Sequence, residues 1–193
     1  TSLKHFAVNN QESNRFTLDT IVSERALHEI YLSSFEYAIL SAKPWTIMSA
    51  YNKVNGQYAS EHPYLLDAIL RKRWNFEGVV MTDWGANHDR VAGLRVGEDL
   101  EMPGNGALND RKIVEAVRNG ELGEKVLDEV VIRMLKLIKR SVEATRSKVD
   151  FSPVVHHHLA KEIAQQCMVL LKNEGNVLPL SCDSHILVVG PFA

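Results

Sequence analysis

Apolar and polar positions alternate in blocks along this chain. Four short apolar runs predict β-strands: the start of the chain, ending near Lys4-His5-Phe6; Trp45-Thr46-Ile47-Met48-Ser49; Gly78-Val79-Val80-Met81-Thr82; and a shorter run around Asp99-Leu100-Glu101-Met102. Between them, apolar residues recur at the three- and four-residue spacing of a helix face. From Ser23 to Ala42 that face is Leu27, Ile30, Tyr31, Phe35, Ala38 and Ile39, and Lys43-Pro44 ends it. Ser60 is placed to cap a helix running from Glu61 to about Arg73, with Pro63 in the first turn, where a missing N–H costs little. A shorter helix is predicted from Asp110 to Asn119, ended by Gly120. The clearest helix runs from Lys125 to about Val142, with Leu127, Val130, Val131, Met134, Leu135 and Ile138 on one stripe.

Strand and helix in alternation predict β/α units around a parallel sheet. At Ser147 to His157 the pattern breaks, with Pro153 and three consecutive histidines. Beyond it come a predicted helix from about Leu159 to Lys172, a loop from Asn173 to Asp183 and a strand at Ile186-Leu187-Val188-Val189. The chain therefore divides into residues 1–146, β/α units of a partial (β/α)8 TIM-like barrel; residues 147–158, a linker; and residues 159–193, the first elements of a second α/β domain. A closed barrel takes eight strands and about 250 residues. About four strands are predicted here, so the remaining barrel half is expected from the same protein or from a complementary chain.

Composition adjusts this picture only slightly. The 193 residues are 45% hydrophobic, enough for a sizeable core, and 24% charged. A net charge of −2 gives nucleic acid or an anionic membrane surface no electrostatic footing. No apolar run approaches the roughly 20 residues of a membrane span, and no signal peptide is visible. The chain opens on Thr1 rather than Met, and neither its natural start nor its compartment is fixed by the sequence. Cys167 and Cys182 are too far apart for a CxxC site, and Cys167 reads as a small buried hydrophobe. His156-His157-His158 project about 100° apart on a helix, a poor tetrahedral metal site, and read as part of a solvated linker.

In a parallel barrel, chemistry gathers where strands end. The first strand ends in Lys4-His5, the second leads into Tyr51-Asn52, the third ends in Asp83-Trp84 and the fourth in Glu101-Met102-Pro103-Gly104. Asp83 follows an unbroken apolar run and is expected at the mouth, where a carboxylate can attack an anomeric carbon or, alternatively, serve as a turn or cap residue. Trp84 offers a flat face for a pyranose ring, or core packing. Lys4 and His5 carry donors suited to sugar hydroxyls, but strand neighbours reach one ligand only where the strand bends or ends. Arg15 lies in an amide-rich loop after the first strand.

These segments resemble glycoside hydrolase family 3, specifically its β-glucosidases. Lys4 to Glu12, KHFAVNNQE, is similar to the family's KHF-A-NNQE segment, and Arg15 with Thr20 to Leu27 extends it. Met48 to Lys53 with Asn55-Gly56 resembles MSAYN-x-x-NG. Gly78 to Gly85, GVVMTDWG, resembles the nucleophile strand, with Thr82 where many members carry Ser. Gly97 to Gly104 resembles the GxDxxMPG turn. Val169 to Asn173, Leu178-Pro179-Leu180 and Val189-Gly190-Pro191 resemble the opening of the family's second domain, an α/β sandwich. The likeness covers essentially the whole chain and implies that residues 1–146 are the C-terminal half of the (β/α)8 barrel.

The resemblance implies Asp83 as nucleophile and Trp84 as a wall of the sugar site. It implies Lys4, His5 and Arg15 as binders of sugar hydroxyls, Met48 as a pocket residue and Tyr51 as a neighbour of the nucleophile. The family's acid/base Glu would lie beyond Ala193, and its upstream sugar-binding Asp and Arg before Thr1. The aminosugar branch carries a KHFPGHG-like loop, which Ala7-Val8-Asn9 does not resemble. The expected substrate is a β-glucoside or oligosaccharide cleaved with retention, without metal or organic cofactor. A β-xyloside or arabinoside remains an alternative. Two other classes stay open: a Schiff-base aldolase using Lys4, and a fragment that binds sugar or complements other strands without activity of its own.

Overall fold

The structure, a computed structural model, describes residues 1–145 and 151–191. In chain order the elements are β1 (Ser2–Phe6), β2 (Asp19–Thr20), α1 (Glu24–Ala26), a π-helix (Leu27–Tyr31), α2 (Ser33–Ala42), β3 (Thr46–Ser49), β4 (Lys53–Val54) and β5 (Gln57–Tyr58). A 3-10 turn (Ala59–Glu61), a second π-helix (Pro63–Arg73), β6 (Val79–Met81), α3 (Arg90–Arg95), α4 (Leu108–Arg118), α5 (Glu124–Ala144), α6 (Pro153–Cys167) and a 3-10 turn (Glu174–Asn176) complete them. They fall into two compact units, Thr1–Arg146 and Ser147–Ala193.

In the first unit, β1, β3 and β6 form a parallel sheet in that order. Thr46 pairs with Val79, Ile47 with Val80 and Met48 with Met81. One face is sealed: Ile47 and Val80 are fully buried in a core with Phe6 of β1 and with Leu27, Ile39, Leu65, Leu66, Ile69 and Leu70 of the flanking helices. Met48 and Met81 lie on the rungs between and are only half-buried. β6 can come this close to β3 because Gly78 precedes it; a Cβ there would stand 2.5 Å from the Phe76 ring and 2.5 Å from the Trp45 carbonyl. A smaller sheet of β2, β4 and β5 lies beside the strand ends. A second cluster, centred on Leu94, Ala116, Leu122 and Val130, joins α3, α4 and α5.

The three main strands and the helices match the periodicity, with several corrections. The fourth predicted strand is a single bridge between Leu100 and Met81. The Asp99 carboxylate takes the Val80 N–H, and the Asp99 and Leu100 N–H groups both turn onto the Val80 carbonyl, so regular pairing stops at once. Ser60 does not cap the helix after it; His62 does, and the Ser60 hydroxyl donates instead to the Ala86 carbonyl. Ile30 leaves the helix face and is exposed, because the i→i+5 turn from Leu27 to Leu32 rotates it away. On α5 only Val130 is buried, and Val131, Leu135 and Ile138 are exposed. Among the described residues no sheet closes into a barrel.

The second unit corrects the rest. Of the predicted linker, 147–150 lies outside the described residues. His156 to His158 belong to α6, which Ser152 caps and Pro153 opens. A Ser-Pro pair is a helix start, and the histidines simply fill the first turns, exposed to solvent. The helix ends at Cys167, five residues before the predicted Lys172, and Met168 is extended. Cys167 is exposed, because the described part of this unit buries no side chain around it. Ile186 to Val189 are exposed and unpaired; a strand needs a neighbour, and none is described here. No helix among the described residues is long and apolar enough to cross a membrane.

Candidate active site

The end of β6 is fixed by backbone and hydroxyl contacts. Thr82 is fully buried; its N–H donates to the Leu100 carbonyl at 2.9 Å, and its hydroxyl accepts the Met102 N–H at 2.8 Å. The next residue, Asp83, therefore stands at the C-terminal edge of the sheet. Its Oδ1 accepts the Trp84 N–H at 2.7 Å and its Oδ2 lies 3.2 Å from His5 Nε2, with the side chain 15% exposed. Asp83 is thus a turn residue on one oxygen while the other faces a neighbouring strand. It caps no helix: the cap of α3 is Asp89. Gly85, at φ +80, then turns the chain so that its N–H reaches the Met102 carbonyl at 2.7 Å.

His5 reaches Asp83 because β1 is irregular. Phe6 pairs with Ser49 and Leu3 with Ile47, so β1 carries one extra residue between those rungs and loses strict alternation at Lys4 and His5. His5 turns to Asp83. Lys4 is exposed and forms no ion pair among the described residues, unlike the desolvated lysine a Schiff base calls for.

Tyr51 closes the other side. Its hydroxyl donates to the Trp84 carbonyl at 2.9 Å, across 33 residues of sequence. Phe16 packs on its ring at 4.4 Å between centroids, and the Arg15 guanidinium lies 4.5 Å from the ring centre. Burial first, then the neighbouring Asp83 carboxylate, raises the Tyr51 phenol above its ordinary pKa, and Arg15 opposes them. Arg15 itself pairs with Glu12 at 2.8 Å. Trp84 is 64% exposed, its face open to solvent. Met48 sits lower on the sheet, paired with Met81.

Four of the seven predicted residues, Asp83, His5, Tyr51 and Trp84, therefore meet directly; Arg15 joins through Tyr51, and Met48 and Lys4 stand apart. None of five cavities among the described residues is lined by Asp83, His5, Tyr51 or Trp84. No cluster of three or more metal-ligating side chains occurs among the described residues.

Beneath the site lies a polar layer that periodicity does not reveal. The Asp99 side chain is fully buried between Arg71 and Arg133, each at 2.7 Å, while accepting the Val80 N–H at 2.8 Å. Glu98 is fully buried beside it. Its Oε1 accepts the Ser49 hydroxyl at 3.2 Å and its Oε2 has no hydrogen-bond partner. Burial drives the Glu98 carboxyl well above the ordinary carboxylate range, and the nearby Arg90 charge and Ser49 only partly oppose it. Burial thus favours the protonated form of this carboxyl. The only sequence signal for this layer is three charges, Glu98, Asp99 and Glu101, in a run expected to pack as a strand.

Comparison with known proteins agrees with this architecture. Residues 1–137 match the Glycosyl hydrolase family 3 N terminal domain. The chain is 50% identical over 190 residues to thermostable beta-glucosidase B of Acetivibrio thermocellus, covering 98% of this chain and 25% of that protein. It is 42% identical over 207 residues to an exo-alpha-(1->6)-L-arabinopyranosidase of Bifidobacterium breve, covering 100% of this chain and 27% of that one. The structure of beta-glucosidase 3B from Thermotoga neapolitana in complex with glucose superposes with a TM-score of 0.79 at 46% identity, over 93% of this chain and 26% of that chain. The chain thus spans about a quarter of the length of the curated relatives it matches.

Proposed function

This chain belongs to glycosyl hydrolase family 3, and from that membership we propose that the intact protein is a retaining β-glucosidase with Asp83 as its nucleophile. The parallel sheet of β1, β3 and β6 is then one arc of a (β/α)8 barrel. The remaining strands come from other parts of the protein or from a complementary chain, and residues 159–193 open a second α/β domain. The observation that carries the reading is the position of Asp83: a carboxylate on the tip of a parallel strand, with Oδ2 against His5 and an exposed indole next to it.

In the proposed reaction an Asp83 oxygen attacks C1 of the bound glucoside and forms a glycosyl ester as the C1–O bond to the leaving group breaks. The leaving oxygen takes a proton from an acid about 5–5.5 Å from Asp83, the spacing that double displacement requires. Water then attacks C1, the same partner removes its proton, and the Asp83 carboxylate is released. His5 holds one Asp83 oxygen and Tyr51 holds the backbone of Trp84, so the nucleophile is oriented before substrate arrives. Lys4 and Arg15 offer donors to sugar hydroxyls from the rim, and Met48 lines the floor.

The relative named an arabinopyranosidase favours a second reading, in which the same machinery cleaves a pentopyranoside. The experiment is a comparison of the intact protein with its Asp83→Asn variant on aryl β-glucoside, β-xyloside and α-L-arabinopyranoside. Loss of at least about a thousandfold in kcat on the preferred substrate, with unchanged thermal unfolding, is expected of a lost nucleophile. Near-normal turnover by the variant overturns the assignment.

A further inference from the structure

The loop that leaves Asp83 is tied at Gly85 to the Met102 carbonyl, and its other cross-chain holds come from the stretch after β3. The Trp84 carbonyl takes the Tyr51 hydroxyl at 2.9 Å and the Ala86 carbonyl takes the buried Ser60 hydroxyl at 2.9 Å. The N–H groups of His88 and Asp89 both donate to Oε1 of Glu61, at 2.8 and 2.5 Å. The His88 ring stacks on the Tyr58 ring with centroids 3.4 Å apart and planes 15° from parallel. All four holding residues lie within 51–61, the stretch that follows β3, whereas the loop follows β6.

These holds differ in kind. Tyr51 and Ser60 donate single hydroxyl bonds. Glu61 places one carboxylate oxygen on two consecutive backbone donors, and a hydrogen bond to an ionised acceptor is about twice as strong as a neutral one. The two donors sit where the loop enters α3, whose own cap is Asp89. Between Asp83 and this anchor the backbone is also held at Trp84 by Tyr51, at Gly85 by the Met102 carbonyl and at the buried Ala86 by Ser60, while the indole of Trp84 is itself 64% exposed.

We propose that Glu61 is a positioning residue: by holding the His88–Asp89 backbone it sets where Trp84 stands relative to Asp83. This rests on the reading of Asp83 as nucleophile. His88 and Asp89 are exposed, so water can take the place of the carboxylate if it is removed. Removing Glu61 therefore costs little global stability and much loop geometry, which separates its role from that of an ordinary structural carboxylate.

The test uses the intact protein and an aryl β-glucoside, with kcat, KM and thermal unfolding measured for Glu61→Ala, Glu61→Gln and Glu61→Asp. A misplacement of this kind is expected to lower kcat about tenfold or more in Glu61→Ala, with KM within about threefold. Its melting temperature is expected to stay within about 3 °C of the parent. Glu61→Gln keeps an acceptor oxygen in place and restores kcat to within about threefold of the parent. Parental kcat in Glu61→Ala overturns the proposal, as does an equal loss in Glu61→Ala and Glu61→Gln. Should Glu61→Ala not fold, Glu61→Asp decides: its carboxylate is one methylene short, so a folded variant with lowered kcat supports the role and one with parental kcat refutes it. Covalent labelling of the parent by a 2-fluoro glucoside tests the underlying reading separately: label on a residue other than Asp83 removes that reading whatever the Glu61 variants do.

Discussion

Nε2 of His5 lies 3.2 Å from Oδ2 of Asp83, joining the ends of β1 and β6 although β3 runs between them. The contact exists because β1 carries an extra residue at this level and turns His5 toward the sheet edge. It gives Asp83 a fixed rotamer with one oxygen held by His5 and the other by the Trp84 N–H.

The first prediction follows from that pair. In the intact protein, His5→Ala is expected to lower kcat/KM for an aryl β-glucoside by about tenfold to a hundredfold, because a half-exposed charge-assisted contact contributes about 1.5–3 kcal/mol. Thermal unfolding is expected to change little. Unaltered kcat/KM would remove His5 from the site.

Tyr51→Phe takes away the hydroxyl that holds the Trp84 carbonyl and leaves the ring on Phe16 and Arg15. A single neutral hydrogen bond corresponds to about 0.5–1.5 kcal/mol, so steady-state kinetics should show kcat/KM reduced by about two- to tenfold. A larger fall accompanied by unfolding would mean that Tyr51 is chiefly a core residue.

Glu98 makes a prediction about pH. Its folded-state pKa is raised by burial, so the folded protein keeps a proton that the unfolded chain releases near its ordinary value. The stability tied to that proton is fully present below the ordinary carboxylate pKa. It falls as pH rises from there toward the raised folded value, by about 1.4 kcal/mol per pH unit. Glu98→Gln mimics the neutral acid and is expected to flatten this decline when denaturant unfolding is followed as pH rises above the ordinary carboxylate range. A parallel pH dependence in the variant and the parent would show that Glu98 is ionised in the fold.

Asp99 is the opposite case, a buried carboxylate bound to two guanidinium groups. Asp99→Ala leaves Arg71 and Arg133 without their partner and the Val80 N–H without its acceptor. Breaking such a buried pair costs about 3–5 kcal/mol, so chemical denaturation should show a loss of that size. A change below about 1 kcal/mol would contradict the role of Asp99 as the anchor of β6.

Much of this architecture is legible in the residues. Val79-Val80-Met81 followed by the polar Thr82-Asp83 marks a buried strand that ends just before Asp83, and the stripe of α5 gives its length to within two residues at each end. What periodicity does not carry is contact across sequence. Ser60 looks like a helix cap because a serine before a proline-started helix usually is one; its partner, Ala86, lies 26 residues away and only the fold brings it near. The contacts of Glu61 with the His88 and Asp89 N–H groups and of Glu98 with Ser49 likewise span distant parts of the sequence. Ile186 to Val189 read as a strand because they are apolar, but a strand is a pairing, and they pair with nothing among the described residues. The start of α6 is written in Ser152-Pro153, but the three histidines after it interrupt the apolar pattern, which by itself suggests a linker.

The most direct test of the whole account is mass spectrometry of the intact protein after inactivation with a 2-deoxy-2-fluoro-β-glucoside. The account predicts one covalently bound sugar on the peptide Gly78 to Gly85, at Asp83. A sugar ester on any other residue, or turnover without a trapped intermediate and with inversion at the anomeric centre, would contradict it.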